Sequence, residues 1–165
     1  MKFLHFLIIS AFFVVSCDES ANDEIYNENN TNVSSGVVYN IDEKPINGLY
    51  RVYYPDGNIK MEIQSKDGKP NGMGKFYTED GVLYMQGVFT DGQADGVFYN
   101  YYPKGQVHNE MNYEKGIKNG TQKTYDKKGN LIVEVLFEKG SAKNGYMVIN
   151  GEKTDFSPDE LAELN

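Results

Sequence analysis

Glycine spacing is the feature that most constrains the fold of this chain. Thirteen of its 17 glycines lie on a 24-residue period. Asn-Gly or Asp-Gly pairs recur at 47–48, 71–72, 95–96 and 119–120, and further glycines follow nine and twenty residues after each pair. A one-residue insertion moves the next pair to 144–145. Fixed self-similarity of this length is typical of tandem structural repeats, so the sequence predicts four stacked units.

Each unit reads as two strands joined by a turn. In the second run of the first unit, Ile59, Met61 and Ile63 alternate with Lys60 and Glu62, which is the period of a strand with one buried face. The first runs share a tyrosine five places after the glycine. These tyrosines are Tyr53, Tyr77, Tyr101 and Tyr125. Glycine-containing segments such as Pro55-Asp56-Gly57 separate the two runs and predict hairpin turns.

The predicted fold is all-β: an elongated single-layer antiparallel β-meander of four 24-residue hairpin repeats. A short capping helix is expected at the C-terminus, because Ser157, Pro158 and Glu160 have the spacing of a capping box with proline at the first helical position. We expect Tyr101 to lie under the neighbouring repeats and Met111 to share the buried phase. Gly105 is expected to need a positive φ, whereas Gly74 is expected to be an ordinary strand position that tolerates a β-branched residue.

These repeats resemble the bacterial variant of the MORN repeat, in YwqK-like proteins that are often labelled antitoxin components. The resemblance covers about residues 48–145 and rests on glycine, a tyrosine five places on, a second glycine, a second strand and a closing Asn-Gly. It implies a twisted single-layer meander with an aromatic stripe. It implies no catalytic residues.

The first 17 residues predict a lipid anchor. Met1-Lys2 is followed by an apolar run over 3–15, too short to span a bilayer but typical of a signal peptide. Val14-Val15-Ser16-Cys17 resembles a bacterial lipobox, which implies cleavage before Cys17 and acylation, palmitate included, of that cysteine. Several acyl chains anchor a protein firmly where one is marginal. Residues 18 and 19 are acidic and match conflicting sorting signals, so the membrane and leaflet stay open.

The predicted domains follow from this pattern. Residues 1–16 form the lipoprotein signal peptide, and 17–35 hold the lipidated cysteine and a disordered acidic tether. Residues 36–156 form the β-repeat domain, and 157–165 form the C-terminal helix or tail. The tether is poor in large apolar residues, which favours disorder.

A set of first-strand aromatic residues forms a candidate binding surface. They lie in the phase opposite to the fixed tyrosines, so they form either an exposed binding surface or a second packed face. The residues are Tyr50, Tyr54, Phe76, Phe98 and Tyr102.

Composition disfavours several other functions. The chain has 24 acidic and 16 basic residues, a net charge of −8, which disfavours nucleic-acid binding. One cysteine and two histidines provide no thiolate or imidazole metal cluster. The row Glu62, Gln86, Glu110 and Glu134 is expected to be a solvated strand face, because adjacent members lie about 10 Å apart. We expect no catalytic residues, no metal and no cofactor.

The sequence therefore predicts a non-catalytic repeat lipoprotein of the bacterial cell envelope. It would be anchored through Cys17 in the inner or outer membrane, periplasmic or surface-exposed, and would act as a protein-interaction or scaffold module. Its partner would be a protein or an envelope polymer. The alternative is an antitoxin-like or immunity protein that neutralises a toxic partner by binding.

Overall fold

A computed structural model describes residues 25–27, 31–34, 37–40 and 42–164. The predicted signal peptide and Cys17 lie outside these residues, so the lipid anchor stays a prediction.

Strands dominate the described part of the chain, with one short helix at its end. Their bounds are β1 (Ile25–Asn27), β2 (Thr31–Ser34), β3 (Val37–Asn40), β4 (Gly48–Tyr53), β5 (Ile59–Lys66), β6 (Lys69–Tyr77), β7 (Leu83–Thr90), β8 (Gln93–Tyr101), β9 (Val107–Glu114), β10 (Ile117–Lys118), β11 (Gly120–Tyr125), β12 (Leu131–Glu138), β13 (Ser141–Ile149), β14 (Glu152–Asp155) and α1 (Pro158–Glu163).

The strands β4 to β14 form one open antiparallel sheet in chain order, with the short β10 paired to β9 beside β11. This arrangement confirms the predicted all-β meander. The C-terminal helix also forms as expected: the Ser157 hydroxyl accepts from the Glu160 amide, and the Glu160 carboxylate accepts from the Ser157 amide at 2.8 Å.

Two kinds of glycine turn connect the strands. At Asp67-Gly68 both residues have positive φ, 51° and 75°, and the equivalent pairs at 91–92, 115–116 and 139–140 repeat this geometry. It is the type I′ conformation, whose twist matches that of the flanking strands. The second turn runs from Tyr54 to Asn58, where the Tyr54 amide donates to the Asn58 carbonyl at 2.8 Å and Gly57 has a φ of 89°.

The Asn-Gly pairs do not close the repeat as turns, contrary to the sequence prediction. Gly72 and Gly96 have φ of 119° and 116° and lie inside β6 and β8, close to shifts in strand register. A bulge of this kind bends one strand and adds twist. The asparagine before the glycine contacts the next turn: Asn47 Oδ1 accepts from the Asp67 amide at 2.9 Å.

A repeated backbone hydrogen bond joins each type I′ turn to the bulge 22 residues earlier. Gly68 donates to the Ile46 carbonyl at 2.9 Å. The equivalent bonds are Gly92 to Pro70, Gly116 to Ala94 and Gly140 to Lys118. These bonds explain the glycine period, because the donor must be the second, left-handed residue of the turn.

The two sides of the sheet differ in character. Residues directly opposite on neighbouring strands point to the same side, so strand register defines two faces. Face A contains Tyr50, Ile63, Gly74, Gly87, Phe98 and Met111, each opposite the next. Face B contains Arg51, Glu62, Lys75, Gln86, Tyr99, Glu110, Lys123, Glu134 and Tyr146.

Face A supplies most of the core, where Ile63, Phe98 and Val135 are at most 5% exposed. Two glycines on this face make room for aromatic rings. A Cβ at Gly74 would lie 2.7 Å from the ring of Phe89, and a Cβ at Gly87 would overlap the ring of Phe98. The expectation that Gly74 tolerates a β-branched residue is therefore wrong.

Part of the segment expected to be a disordered tether is paired in strands. β1 adds to the N-terminal edge in parallel, with Ile25 opposite Leu49 and Tyr26 opposite Tyr50. β2 and β3 form a separate antiparallel hairpin. The sequence reasoning missed both pairings, since the segment is polar and carries no repeat signal; the rest of 17–24 lies outside the described residues.

Candidate interaction face

Two of the five predicted binding aromatics, Phe76 and Phe98, belong to the packing of face A. The Phe98 ring meets Phe89 edge-on at 5.1 Å and Tyr113 at 5.3 Å, and Phe76 lies 6.4 Å from Phe89. Phe98 is 5% exposed. The predicted binding role is wrong for Phe98, and of the two alternatives the packed face is the one formed there. Tyr50 lies on the same face, opposite Ile63.

The other two, Tyr54 and Tyr102, join neighbouring repeats at the longer turns. The Tyr54 hydroxyl donates to the Tyr77 carbonyl at 2.8 Å, and the Tyr102 hydroxyl donates to the Tyr125 carbonyl at 2.9 Å. Both side chains are half-buried. Binding by these two residues stays a prediction, but their hydroxyl groups already hold one repeat to the next.

The fixed tyrosines lie on face B, not with Met111 in the core as expected. Met111 is opposite Phe98 on face A. The Tyr77 hydroxyl donates to Glu62 Oε2 at 3.0 Å, and Gln86 Nε2 donates to the Tyr101 hydroxyl at 2.7 Å. In both pairs the tyrosine follows its partner by 15 residues, so the contact crosses from one repeat to the previous one.

Glu62 is consequently not a solvated surface carboxylate, as the sequence suggested. Its side chain is 17% exposed and accepts from Arg51 at 2.7 Å as well as from Tyr77. Burial alone would raise the pKa of Glu62, but the hydrogen bonds from Arg51 and Tyr77 outweigh burial and hold it below its usual value.

The tyrosines of this row have raised pKa values. For Tyr77 the main cause is burial, and the neighbouring Glu62 carboxylate adds to it. Burial also raises the pKa of Tyr125, with Glu110 contributing both charge and a hydrogen bond. The row is therefore a structural ladder of neutral tyrosines against ionised or amide partners, rather than a set of reactive groups.

An apolar patch interrupts the polar surface of face B near its centre. Met73 and Val88 are directly opposite each other on β6 and β7, and they are 39% and 36% exposed. Val97 on β8 lies in the same phase, since its neighbour Phe98 points to face A. The patch is bordered by Lys75, which is exposed, and Gln86. We call Met73, Val88 and Val97 the central patch.

The C-terminal helix lies over the equivalent position of the last repeat. Thr121 and Leu136 are opposite each other on β11 and β12, 48 residues after Met73 and Val88. A cleft of about 470 Å³ is lined by these two residues together with Phe156 and Leu161 from the helical segment. Face B is thus covered at its C-terminal end, and the central patch is exposed.

Within the described ranges, no group of three or more histidine, cysteine or acidic side chains could hold a metal ion. None of the helices described there is long and apolar enough to cross a membrane.

The family model for the MORN repeat variant matches residues 46–67, 94–115 and 118–139. Each match begins at the residue whose carbonyl accepts the inter-repeat bond and ends just before the donor glycine. The segment 70–91, between the first two matches, makes the same bond from Gly92 to Pro70 at 2.8 Å. The match and the geometry therefore define the same 22-residue unit within a 24-residue period.

No curated protein matches the sequence. Among solved structures, the chain is similar to a chain in the crystal structure of accessory secretory proteins 1, 2 and 3 of Streptococcus pneumoniae. The two are 17% identical with a TM-score of 0.41, and the match covers 80% of this chain and 27% of that chain. This chain thus spans about a quarter of the length of the chain it matches.

Proposed function

We propose that this protein is a non-catalytic repeat lipoprotein, anchored in the bacterial cell envelope through Cys17, that binds a partner protein on face B. The observation that carries the proposal is the exposed Met73–Val88 pair on an otherwise ordered polar face. An apolar cluster with a polar border is the usual anatomy of a protein-binding surface. The match to a repeat family, rather than to an enzyme family, supports the same class of function.

The anchor is proposed from the sequence around Cys17. Cells expressing the wild-type chain and Cys17→Ser are fed a fatty-acid probe that can be coupled to a dye. The wild type takes up the label and fractionates with membranes, whereas Cys17→Ser does neither. Equal labelling of the two proteins would contradict the anchor.

Binding on face B is tested by placing a photo-crosslinking amino acid at single positions in intact cells. Val88 is the test position, and Ile117, which is 52% exposed at the edge of the sheet, is the matched control. A discrete protein adduct from Val88 and none from Ile117 supports the proposal. Adducts of equal yield from both positions, or from Ile117 alone, would contradict it, as would an adduct with an envelope polymer.

Neutralisation of a toxic partner is the second candidate, and it is favoured by the resemblance to proteins labelled antitoxin components. It differs from a scaffold role in its effect on cells. If the captured partner stops growth when expressed alone, co-expression of this protein restores growth, and Met73→Glu abolishes that protection. A partner that is harmless alone leaves the scaffold role.

A further inference from the structure

The C-terminal helix indicates what kind of element the central patch binds. We infer that the patch is the docking site for a short acidic helix of a partner protein, one that presents leucines as α1 does. This inference rests on the proposed use of face B and adds the chemistry of the partner.

Repeat symmetry provides the first step. Met73 and Val88 occupy the same places in the second repeat as Thr121 and Leu136 in the fourth, and each pair is directly opposite across two strands. The helical segment already lines a cleft with Thr121 and Leu136 through Phe156 and Leu161. The same sheet geometry, two repeats earlier, is therefore shaped for the same kind of ligand.

Side-chain chemistry favours the earlier position. The C-terminal position offers a threonine and a leucine, whereas the central patch offers methionine and valine, and both are exposed. Methionine adapts its shape to different apolar partners. Burial of the patch would remove apolar surface from water at about 25 cal/mol per Å².

Charge favours an acidic ligand. The segment 156–165 carries Asp159, Glu160 and Glu163 and no base. Beneath it the polar row carries the opposed pair Lys123 and Glu134, which together are neutral. The corresponding pair at the patch is Lys75 and Gln86, so this position is one charge more positive. Complementary charge steers association and suppresses wrong partners.

The test uses a peptide with the sequence of residues 156–165, stapled on its solvent-facing side because so short a helix is marginal in water. A photoreactive leucine analogue replaces Leu161, and the probe is mixed with the full chain in detergent. Crosslinks mapped by mass spectrometry to Met73, Val88 or Val97 support the inference. Crosslinks confined to Thr121 and Leu136, where the peptide would only replace α1, would overturn it.

Matched variants establish what the peptide recognises. Met73→Glu should weaken binding about tenfold, as expected for an anchor residue, whereas Ile117→Glu should leave it unchanged. Lys75→Glu should weaken it less, about threefold, and make binding insensitive to salt. A peptide with its acids changed to lysine should not bind. Equal affinities for the acidic and basic peptides, or equal effects of Met73→Glu and Ile117→Glu, would contradict the docking site.

Two further outcomes separate this inference from its alternatives. If the full chain forms dimers by sedimentation that Leu161→Glu converts to monomers, the ligand is a second copy, and the inference of a separate partner is wrong. If the peptide does not bind while Val88 still gives a protein adduct in cells, only the helical chemistry fails and the proposed function stands.

Discussion

The Tyr77 hydroxyl donates a hydrogen bond to Glu62 across a repeat boundary, at 3.0 Å. Arg51 contacts the same carboxylate at 2.7 Å, so one side chain joins β4, β5 and β6. A single-layer sheet has few fully buried side chains, and five hydrophobic residues of the described chain fall in that class. Bonds of this kind therefore matter more here than in a two-layer fold.

Removing the tyrosine hydroxyl should measure that contribution. We expect Tyr77→Phe to lower the free energy of unfolding by about 1–2 kcal/mol at pH 7, because a hydrogen bond to a charged group is stronger than one between neutral groups. Urea titration of Tyr77→Phe, Glu62→Gln and the double variant gives the coupling energy. Additive effects would show that the two side chains do not interact in solution.

The Glu62 contribution should depend on pH in one direction. Its pKa is lower in the folded chain than in the unfolded chain, so its stabilisation is present above the usual glutamate pKa of about 4.3. That stabilisation is lost as the pH falls through the lowered pKa. Between pH 7 and about pH 3, the wild type should therefore lose more stability than Glu62→Gln. A parallel decline of the two proteins would contradict the assigned shift.

The glycines under aromatic rings predict a specific rescue. Gly87→Ala should cost about 1–3 kcal/mol through overpacking, because its Cβ overlaps the Phe98 ring. A Cβ at Gly105 meets nothing within 4 Å, so Gly105→Ala is strained only by its φ of 86°. Adding Phe98→Leu should recover part of the Gly87→Ala loss and none of the Gly105→Ala loss. Equal behaviour of the two glycines in denaturation experiments would refute the packing described here.

The hydroxyl of Tyr102 should contribute measurably although it lies at a turn. Loss of its bond to the Tyr125 carbonyl in Tyr102→Phe should lower stability by about 1 kcal/mol. Tyr84 is 41% exposed and is the matched control; Tyr84→Phe should leave the melting temperature unchanged. A silent Tyr102→Phe would mean that the inter-repeat bond is not stabilising.

Sequence reasoning predicted the period, the turns and the alternation within strands, because glycines with positive φ and period-2 patterns are local signals. It placed Phe98 and Tyr101 correctly on opposite sides. It failed to pair them across strands: Met111 lies opposite Phe98, so the apolar phase continues through the phenylalanines and not the tyrosines. Register depends on turn length and on bulges such as those at Gly72 and Gly96, which the Asn-Gly pairs did not reveal as bulges.

The candidate site was less predictable. The Met73–Val88 patch depends on which apolar side chains stay uncovered, and that follows from register and from the position of the C-terminal helix. The link between Tyr77 and Glu62 had a signal in the sequence, a tyrosine 15 residues after each polar residue of the row, but its meaning required the strand pairing.

The central claim is that face A holds the fold together while face B binds a partner. The most direct test pairs Phe98→Leu, on face A, with Met73→Glu, on face B, and measures both the urea midpoint and the adduct yield from a crosslinker at Val88. We expect Phe98→Leu to lower the midpoint by about 1 kcal/mol of stability or more and to retain the adduct. Met73→Glu should keep the midpoint and lose the adduct. A stable protein that retains its adduct in Met73→Glu, or an unchanged midpoint in Phe98→Leu, would contradict the account.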